Sequence, residues 1–357
     1  MENSQFSELL INWYQKNKRD LPWRYSDNPY FIWLSEVILQ QTRVAQGLPY
    51  YQKFIEHYPS VTDLACADEQ EVLRLWQGLG YYSRARNMHR TAQIIVDEWG
   101  GEFPNTYQNL IKLKGIGPYT AAAIASFAFR EPVAVVDGNV FRVLARIFGI
   151  ETDIASHEAK KLFQSLADKL LDNDKPHLFN QAIMEFGAIF CTPLKPSCLY
   201  CQFSEVCVAN KEGKQSFFPV KNKKVKVQKR YFNYFVVESE GGLWMRQRDV
   251  RDIWGGLFDF YLYESEHLIE NPDEITDDTL GMMVAKAKIE GVSNTMKHIL
   301  THQRIEAKFW HLIYSSDDFL ISRGMIKYSW EEIEKLPKPI LIVNYLKKYF
   351  PNFQLRK

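Results

Sequence analysis

CTPLKPSCLYCQFSEVC, residues 191–207, gathers four of the chain's five cysteines on one short segment. Cys191, Cys198, Cys201 and Cys207 follow the pattern C-x6-C-x2-C-x5-C, whereas Cys66 stands apart. Clustered thiols in a cytosolic protein of this size point to metal ligation before disulfides. Four thiolates suit zinc, and they also suit an iron–sulfur cube. Structural zinc sites more often use two close pairs across a longer span, and here only Cys198 and Cys201 form a CxxC. Cys66, within VTDLACA, is expected to be a small core residue.

Upstream of the cysteines, to about Asn210, the pattern is helical. FSELLINWYQKN, PYFIWLSEVILQQ, DEQEVLRLWQGL, RNMHRTAQIIVDEW, PYTAAAIASFAF, NVFRVLARIFGI and HEAKKLFQSLADKLL carry apolar residues at three- and four-residue spacing. Short Gly, Pro, Asn or Asp breaks separate them. From Lys211 to Arg230 the chain turns basic, with Lys221, Lys223, Lys224, Lys226, Lys229 and Arg230 against the single acid Glu212. A solvated linker is the expected reading, and contact with phosphate is a second use of the same charge. Beyond it, Tyr231–Glu238, Leu243–Arg248, Leu257–Tyr263 and Glu306–Tyr314 read as strands, and Gly241-Gly242 as a hairpin turn. Ser329 followed by Glu332 forms a capping box opening a short helix, and Ile340–Phe350 a last one.

The 357 residues exceed one core, so two domains are expected. The net charge of +1 gives no bulk signature of nucleic-acid binding, so any basic surface must be local. The first residues lack a basic segment followed by an apolar one, and the longest apolar run, Tyr119–Phe129, is too short to span a bilayer. A cytoplasmic protein without a membrane partner is expected.

Two carboxylates stand in unusual settings. Glu36 lies in Pro29–Gln41, a helix opened by Asn28 as cap and Pro29 at its first position. That helix is apolar nearly all round and should be buried, so desolvation raises the Glu36 pKa. Alone, such a residue is as readily a paired structural glutamate. Asp137 follows the apolar run Pro132–Val136 and opens the helix VFRVLARIFG, where a cap is a sufficient explanation by itself. Between two helical segments, LKGIGPYTA (residues 113–121) offers Gly115 and Gly117 for a tight turn whose N–H groups can face an anion. An ordinary turn would look the same.

Together these segments resemble the endonuclease III superfamily of helix-hairpin-helix DNA glycosylases, and within it the MutY-type adenine DNA glycosylases. The resemblance rests on the cysteine spacing, LKGIGPYTA, VDGNVFR, WLSEVILQQT and LPWR. It implies a two-part fold: an all-α helix-hairpin-helix domain with a [4Fe–4S] loop over 1–210, a basic linker over 211–230, and an α+β MutT/Nudix-like domain over 231–357. It implies a structural [4Fe–4S] cluster held by Cys191, Cys198, Cys201 and Cys207, with Lys195 turned towards DNA. Gly115 and Gly117 would hold the DNA backbone. Glu36 would protonate adenine at N7, and Asp137, supported by Asn139, would stabilise the cationic sugar. Bifunctional relatives carry a lysine where Tyr119 stands, and a phenol cannot form their Schiff base. Tyr119 would instead bond a catalytic carboxylate.

By the same resemblance Arg19, Leu21, Trp23, Arg24, Gln181 and Met184 bind the extruded adenine. Gln41 and Tyr81, with Arg84 and Arg86 nearby, would fill the gap in the base stack. LWMRQR (243–248) and IWGGLFDF (253–260) are similar to the MutT-like fold, but no metal-binding Nudix helix is apparent in Glu264–Asp278. Leu300-Thr301-His302 falls where the family has a Phe-Ser-His loop, so Thr301 and His302 would meet 8-oxoguanine. The implied substrate is duplex DNA with adenine opposite 8-oxoguanine or guanine, met by a monomer at the nucleoid. Three rivals remain: a bifunctional oxidised-base glycosylase/lyase, a non-catalytic iron–sulfur DNA-binding module, and a Nudix hydrolase with a DNA-binding appendage.

Overall fold

A computed structural model describes residues 2–222 and 226–351. Lys223 and Lys224 of the basic run lie outside the described residues. The chain divides into two compact units, one of residues 1–66 with 87–223 and one of residues 67–86 with 224–357. Residues 67–86 therefore cluster with the second unit, and the division is not one cut near residue 210. No helix among the described residues is long and apolar enough to cross a membrane.

The first unit is helical. Asn28 Oδ1 accepts from the Tyr30 N–H at 2.9 Å and opens the Pro29–Leu39 helix, which is buried from Tyr30 to Ile38 apart from Phe31. It ends two residues short of Gln41, which turns away with φ 53°. The next helix, Val44–His57, was hidden in the sequence by Gly47 and Pro49, both helix breakers by propensity. Gly47 is buried and lies close to the Pro29–Leu39 helix, where a Cβ would stand 2.9 Å from Leu39 Cδ2, the movable end of a side chain. The alanine-rich Pro118–Phe129 helix packs against Pro29–Leu39, its small side chains allowing close approach. Residues 132–136 then run extended to Asp137, which caps the Gly138–Phe148 helix.

One buried amide sets that extended run. Asn180, on the Pro176–Glu185 helix, accepts from the Val135 N–H at 2.9 Å and donates to the Val133 carbonyl at 2.8 Å and to Ser126 Oγ at 2.9 Å. The run thus finds its hydrogen bonds without joining a sheet.

The second unit carries a mixed eight-stranded sheet. Strands β1 (Gln228–Ser239), β2 (Gly242–Gln247), β3 (Phe258–Asp259) and β4 (Tyr261–Ser265) precede β5 (Lys288–Val292), β6 (Met296–Ile299), β7 (Gln303–Ile313) and β8 (Ile326–Ser329). β1 and β7 pair in parallel from Gln228↔Gln303 to Glu238↔Ile313, and β1 turns into antiparallel β2 at Gly241 as expected. The Ser329–Glu332 capping box is present, and the last helix spans Ile340–Tyr349. In Glu264–Asp278, Glu274 is engaged by the Glu270 and Asn271 N–H groups in a one-turn capped helix.

Several expectations need correction. Leu257–Tyr263 is two strands rather than one, broken at Phe260. β5, β6 and β8 went unread because they are short and their residues largely exposed. The stretch 211–222 is not a solvated linker: Phe218 is buried in the first unit's core, and the Ile154 N–H bonds the Val220 carbonyl at 3.0 Å. Cys66 is exposed, not in the core.

Replacing Asn180 with Ala would leave the Val135 N–H and Val133 carbonyl without the Asn180 amide in the interior. Each such group costs about 1–3 kcal/mol, so N180A should lower stability by roughly 2–6 kcal/mol. Urea unfolding checks this, and a midpoint unchanged from wild type would remove Asn180 from its role.

Candidate active site

Ten of the residues singled out in the sequence line one cavity of about 210 Å³ in the first unit: Arg19, Leu21, Trp23, Arg24, Glu36, Tyr119, Asp137, Asn139, Gln181 and Met184. Glu36 is 8% exposed, and the Tyr119 hydroxyl donates to its Oε2 at 2.7 Å. Burial pushes the Glu36 carboxyl up to about 7, against the opposing effect of the Tyr119 bond and with help from the Asp137 charge. Burial likewise holds the Tyr119 phenol well above its ordinary value, so it remains a neutral donor.

Asp137 is bonded differently. Its Oδ1 accepts from the Val140 N–H at 2.8 Å and its Oδ2 from the Asn139 amide at 2.7 Å. Burial raises its pKa, and these two donors together with the Arg142 charge oppose that rise. Arg142 also donates to Asn139 Oδ1 at 2.8 Å, to the Gly187 carbonyl at 2.8 Å and to the Cys191 carbonyl at 2.9 Å. A bonded chain thus runs from the first cysteine of the loop to the aspartate.

The opposite wall contains a group that sequence reasoning missed. Glu185, 1% exposed, accepts from Arg19 Nε at 2.8 Å and Nη2 at 2.7 Å, and from Arg24 Nη1 at 3.0 Å and Nη2 at 2.5 Å. Burial alone would raise its pKa, but the two guanidinium groups bring it down to about 2. Its signal was present: Glu185 lies four residues after Gln181 on one helix, so both face the same way. Gln181 Oε1 accepts from the Tyr14 hydroxyl at 2.5 Å, which leaves its NH₂ for other partners. Trp23 meets Tyr51 edge-on at 5.1 Å.

Gly115 has φ 93°, and a Cβ there would stand 2.9 Å from Thr91 Oγ1, so glycine is required. Gly117 caps the Pro118–Phe129 helix with open space at its Cβ position, leaving the helix start approachable. Gln41 is exposed and lies outside the cavity lining.

Tyr81, Thr301 and His302 meet in a separate cavity of about 530 Å³ within the second unit. The Tyr81 and Thr301 hydroxyls are hydrogen-bonded to each other. Tyr81 (φ 48°) and Trp254 (φ 59°), two non-glycine residues in the left-handed region, both line it. Thr301 sits in the tight turn from β6 to β7, where the Leu300 N–H bonds the Gln303 carbonyl at 2.8 Å. Arg86 also lines this cavity, while Arg84 folds inward over Trp76 and donates to the Gly80 carbonyl at 3.1 Å.

All four clustered cysteines line a further small cavity of the first unit, with Phe186, Phe190 and Pro196. Among the described residues no three His, Cys, Asp or Glu side chains converge as they would on a single ion. Burial pushes the Cys201 thiol up to about 11 and raises Cys207 too, so an added positive centre would be needed to ionise them. Arg146, 2% exposed, holds the loop by donating to the Thr192 carbonyl at 2.7 Å and the Pro193 carbonyl at 2.9 Å.

Residues 34–169 match the HhH-GPD superfamily of base excision DNA repair proteins, and residues 233–348 match the NUDIX domain. The chain is 33% identical over 353 residues to the adenine DNA glycosylase of Buchnera aphidicola from Acyrthosiphon pisum, covering 97% of this chain and 99% of that one. It is 44% identical over 223 residues to the human adenine DNA glycosylase, covering 60% of this chain and 41% of that one. Among solved structures, a thermostable thymine-DNA glycosylase superposes with TM-score 0.55 at 29% identity, over 59% of this chain and 97% of that one. Endonuclease III in a non-covalent DNA complex shares the fold, with TM-score 0.51 at 22% identity over 60% of this chain and 98% of that one.

Substituting Glu185 with Gln should destabilise the first unit by about 3 kcal/mol, since it strands Arg19 and Arg24 beside a neutral amide. A carboxylate with a depressed folded value contributes stability that is complete above its ordinary 4.5 and is lost as pH falls towards about 2. The difference between wild type and E185Q in urea unfolding should therefore be full at pH 7 and shrink across that acid window. A difference constant down to pH 3 would contradict the pairing.

Proposed function

Because this chain belongs to the adenine DNA glycosylases, we propose that Glu36 and Asp137 divide between them the hydrolysis of the adenine N-glycosidic bond, in duplex DNA where adenine faces 8-oxoguanine or guanine. The observation that carries this reading is the different bonding of two neighbouring carboxyls. Glu36 has one hydroxyl donor and a value near 7, so it can hold a proton at neutral pH. Asp137 has two N–H donors and Arg142's charge to favour its ionised form.

The departing purine needs a proton, and the sugar passes through an oxocarbenium-like state that an anion stabilises. Glu36 supplies the proton at N7 of the extruded base. Tyr119 occupies one Glu36 oxygen as donor, leaving the other to carry the acid proton. Asp137 faces the cationic sugar, held by Asn139 and Val140. A phenol at position 119 offers no amine for an imine, which supports base release without strand cleavage. Arg24, Gln181, Trp23, Leu21, Met184 and Arg19 shape the adenine cavity, with Glu185 fixing both arginines.

The hairpin at Gly115 and Gly117 holds the backbone through N–H groups, and Gln41 fills the space left in the stack. In the second unit, the cavity of Tyr81, Thr301 and His302 reads the 8-oxoguanine opposite, its hydroxyls being suited to the added N–H and C=O of that base. The enzyme works as a monomer in the cytoplasm, at the nucleoid.

The four cysteines line one cavity, and their C-x6-C-x2-C-x5-C spacing with a single CxxC favours a [4Fe–4S] cluster over zinc. Bound there, the cluster would supply charge to ionise the buried thiols and would fix the loop. The chain's own contribution is Arg146, which ties that loop to the Gly138–Phe148 helix.

In single-turnover adenine release from an A:8-oxoguanine duplex, E36Q should slow the reaction by about 10²–10⁴-fold, the usual worth of a general acid. D137N should be at least as slow, and scission should need added alkali. The acid must be protonated, so the wild-type rate should hold below about pH 7 and fall above it; release untouched by both substitutions would end this reading. Purified protein should be brown with broad visible absorption, lost in C198S, whereas a colourless zinc protein would refute the cluster.

A further inference from the structure

Beside the adenine cavity the first unit has a second, wider concavity of about 1010 Å³. Val136 and Phe141 are part of its apolar floor. Pro118 and Tyr119, the first turn of the hairpin helix, form one rim. The other rim is the His157–Leu170 helix, which contributes Lys160, Lys161 and Lys169.

Tyr119 lines both cavities, and Val136 directly precedes Asp137. If Asp137 faces the sugar of the flipped nucleotide, the groove starts where the neighbouring phosphates of that strand must run. Lys160, Lys161 and Lys169 are exposed, and none makes an ion pair among the described residues. The groove's carboxylate, Asp168, already accepts from the Gln164 amide at 3.0 Å. Three exposed lysines over an apolar floor match a nucleic-acid strand, with phosphates on the ammonium groups and sugar faces on the floor. Continuity with the hairpin favours DNA over an acidic protein segment.

We propose that this groove is a track for the adenine-bearing strand beside the flipped nucleotide, with Lys160 and Lys161 as its phosphate contacts. The proposal rests on the reading of Asp137 given above.

The test is the salt dependence of binding to an A:8-oxoguanine duplex whose adenosine carries a 2′-fluorine to resist cleavage. Losing two phosphate contacts should reduce the slope of log Kd against log salt by about 1.8 in K160A/K161A, or about 12-fold in relative affinity between roughly 50 and 200 mM salt. Alanine suits an exposed helix, so the fold should hold, and K160R/K161R should keep the wild-type slope. Single-turnover adenine release at saturating enzyme should stay within about twofold of wild type, because these lysines touch no reacting atom. K347A/K348A, which removes equal charge from the second unit, is the control. An unchanged slope in K160A/K161A, or an equal drop in the control, overturns the track. Wild type that releases no adenine overturns the Asp137 reading instead.

Discussion

Keeping a carboxylic acid away from water is costly unless it is paired or protonated. The Pro29–Leu39 helix puts Glu36 in that position, against Tyr119 and near a second carboxyl. One buried site does not readily hold two negative charges, so the proton settles where donors are fewest. Glu36 has a single hydroxyl, while Asp137 has a helix cap, an amide and a nearby guanidinium. The proposed division of roles rests on this asymmetry of donors. Much of the first unit serves to preserve it: the Asn28 cap sets where the acid's helix begins, and Asn180 sets the path of the chain into Asp137.

Around this pair, distant parts of the sequence are tied by charge-assisted bonds, which are stronger and more directional than neutral ones. Glu185 gathers Arg19 and Arg24, so the segment that carries both arginines and the end of the Pro176–Glu185 helix act as one wall. Arg142 links Asn139 to the Cys191 carbonyl, so the aspartate's support and the cysteine loop share one guanidinium. Such shared donors make a rigid surround for chemistry that depends on placement.

Legibility in the sequence followed the physics of each part. The Glu36 helix was readable because a capped, continuously apolar run admits one interpretation. Asp137 was readable as a cap, and its second use came only with the resemblance. The cavity partners Trp23, Arg24 and Gln181 also needed the resemblance, since each is an ordinary residue locally. Glu185 escaped notice because its meaning lies in two arginines more than 160 residues away. Val44–His57 was missed because Gly47 and Pro49 lie inside the helix rather than at a turn. The exposed strands β5, β6 and β8 were missed because runs of four or five exposed residues are too short to stand out without their pairing partners. Residues 211–222 misled through composition: the lysines advertised solvent while Phe218 anchored the segment.

Gln41 and Tyr81 share a backbone geometry that suits glycine better than any L side chain, at a cost of about 1–2 kcal/mol each. A hunt for hardier variants would reach for glycine at both places and would find it easily. In doing so it would strip away the Gln41 side chain proposed above to fill the stack, and the Tyr81 hydroxyl that bonds Thr301. The chain keeps a less relaxed backbone at these two positions, and with it the side chains that the proposed reading uses.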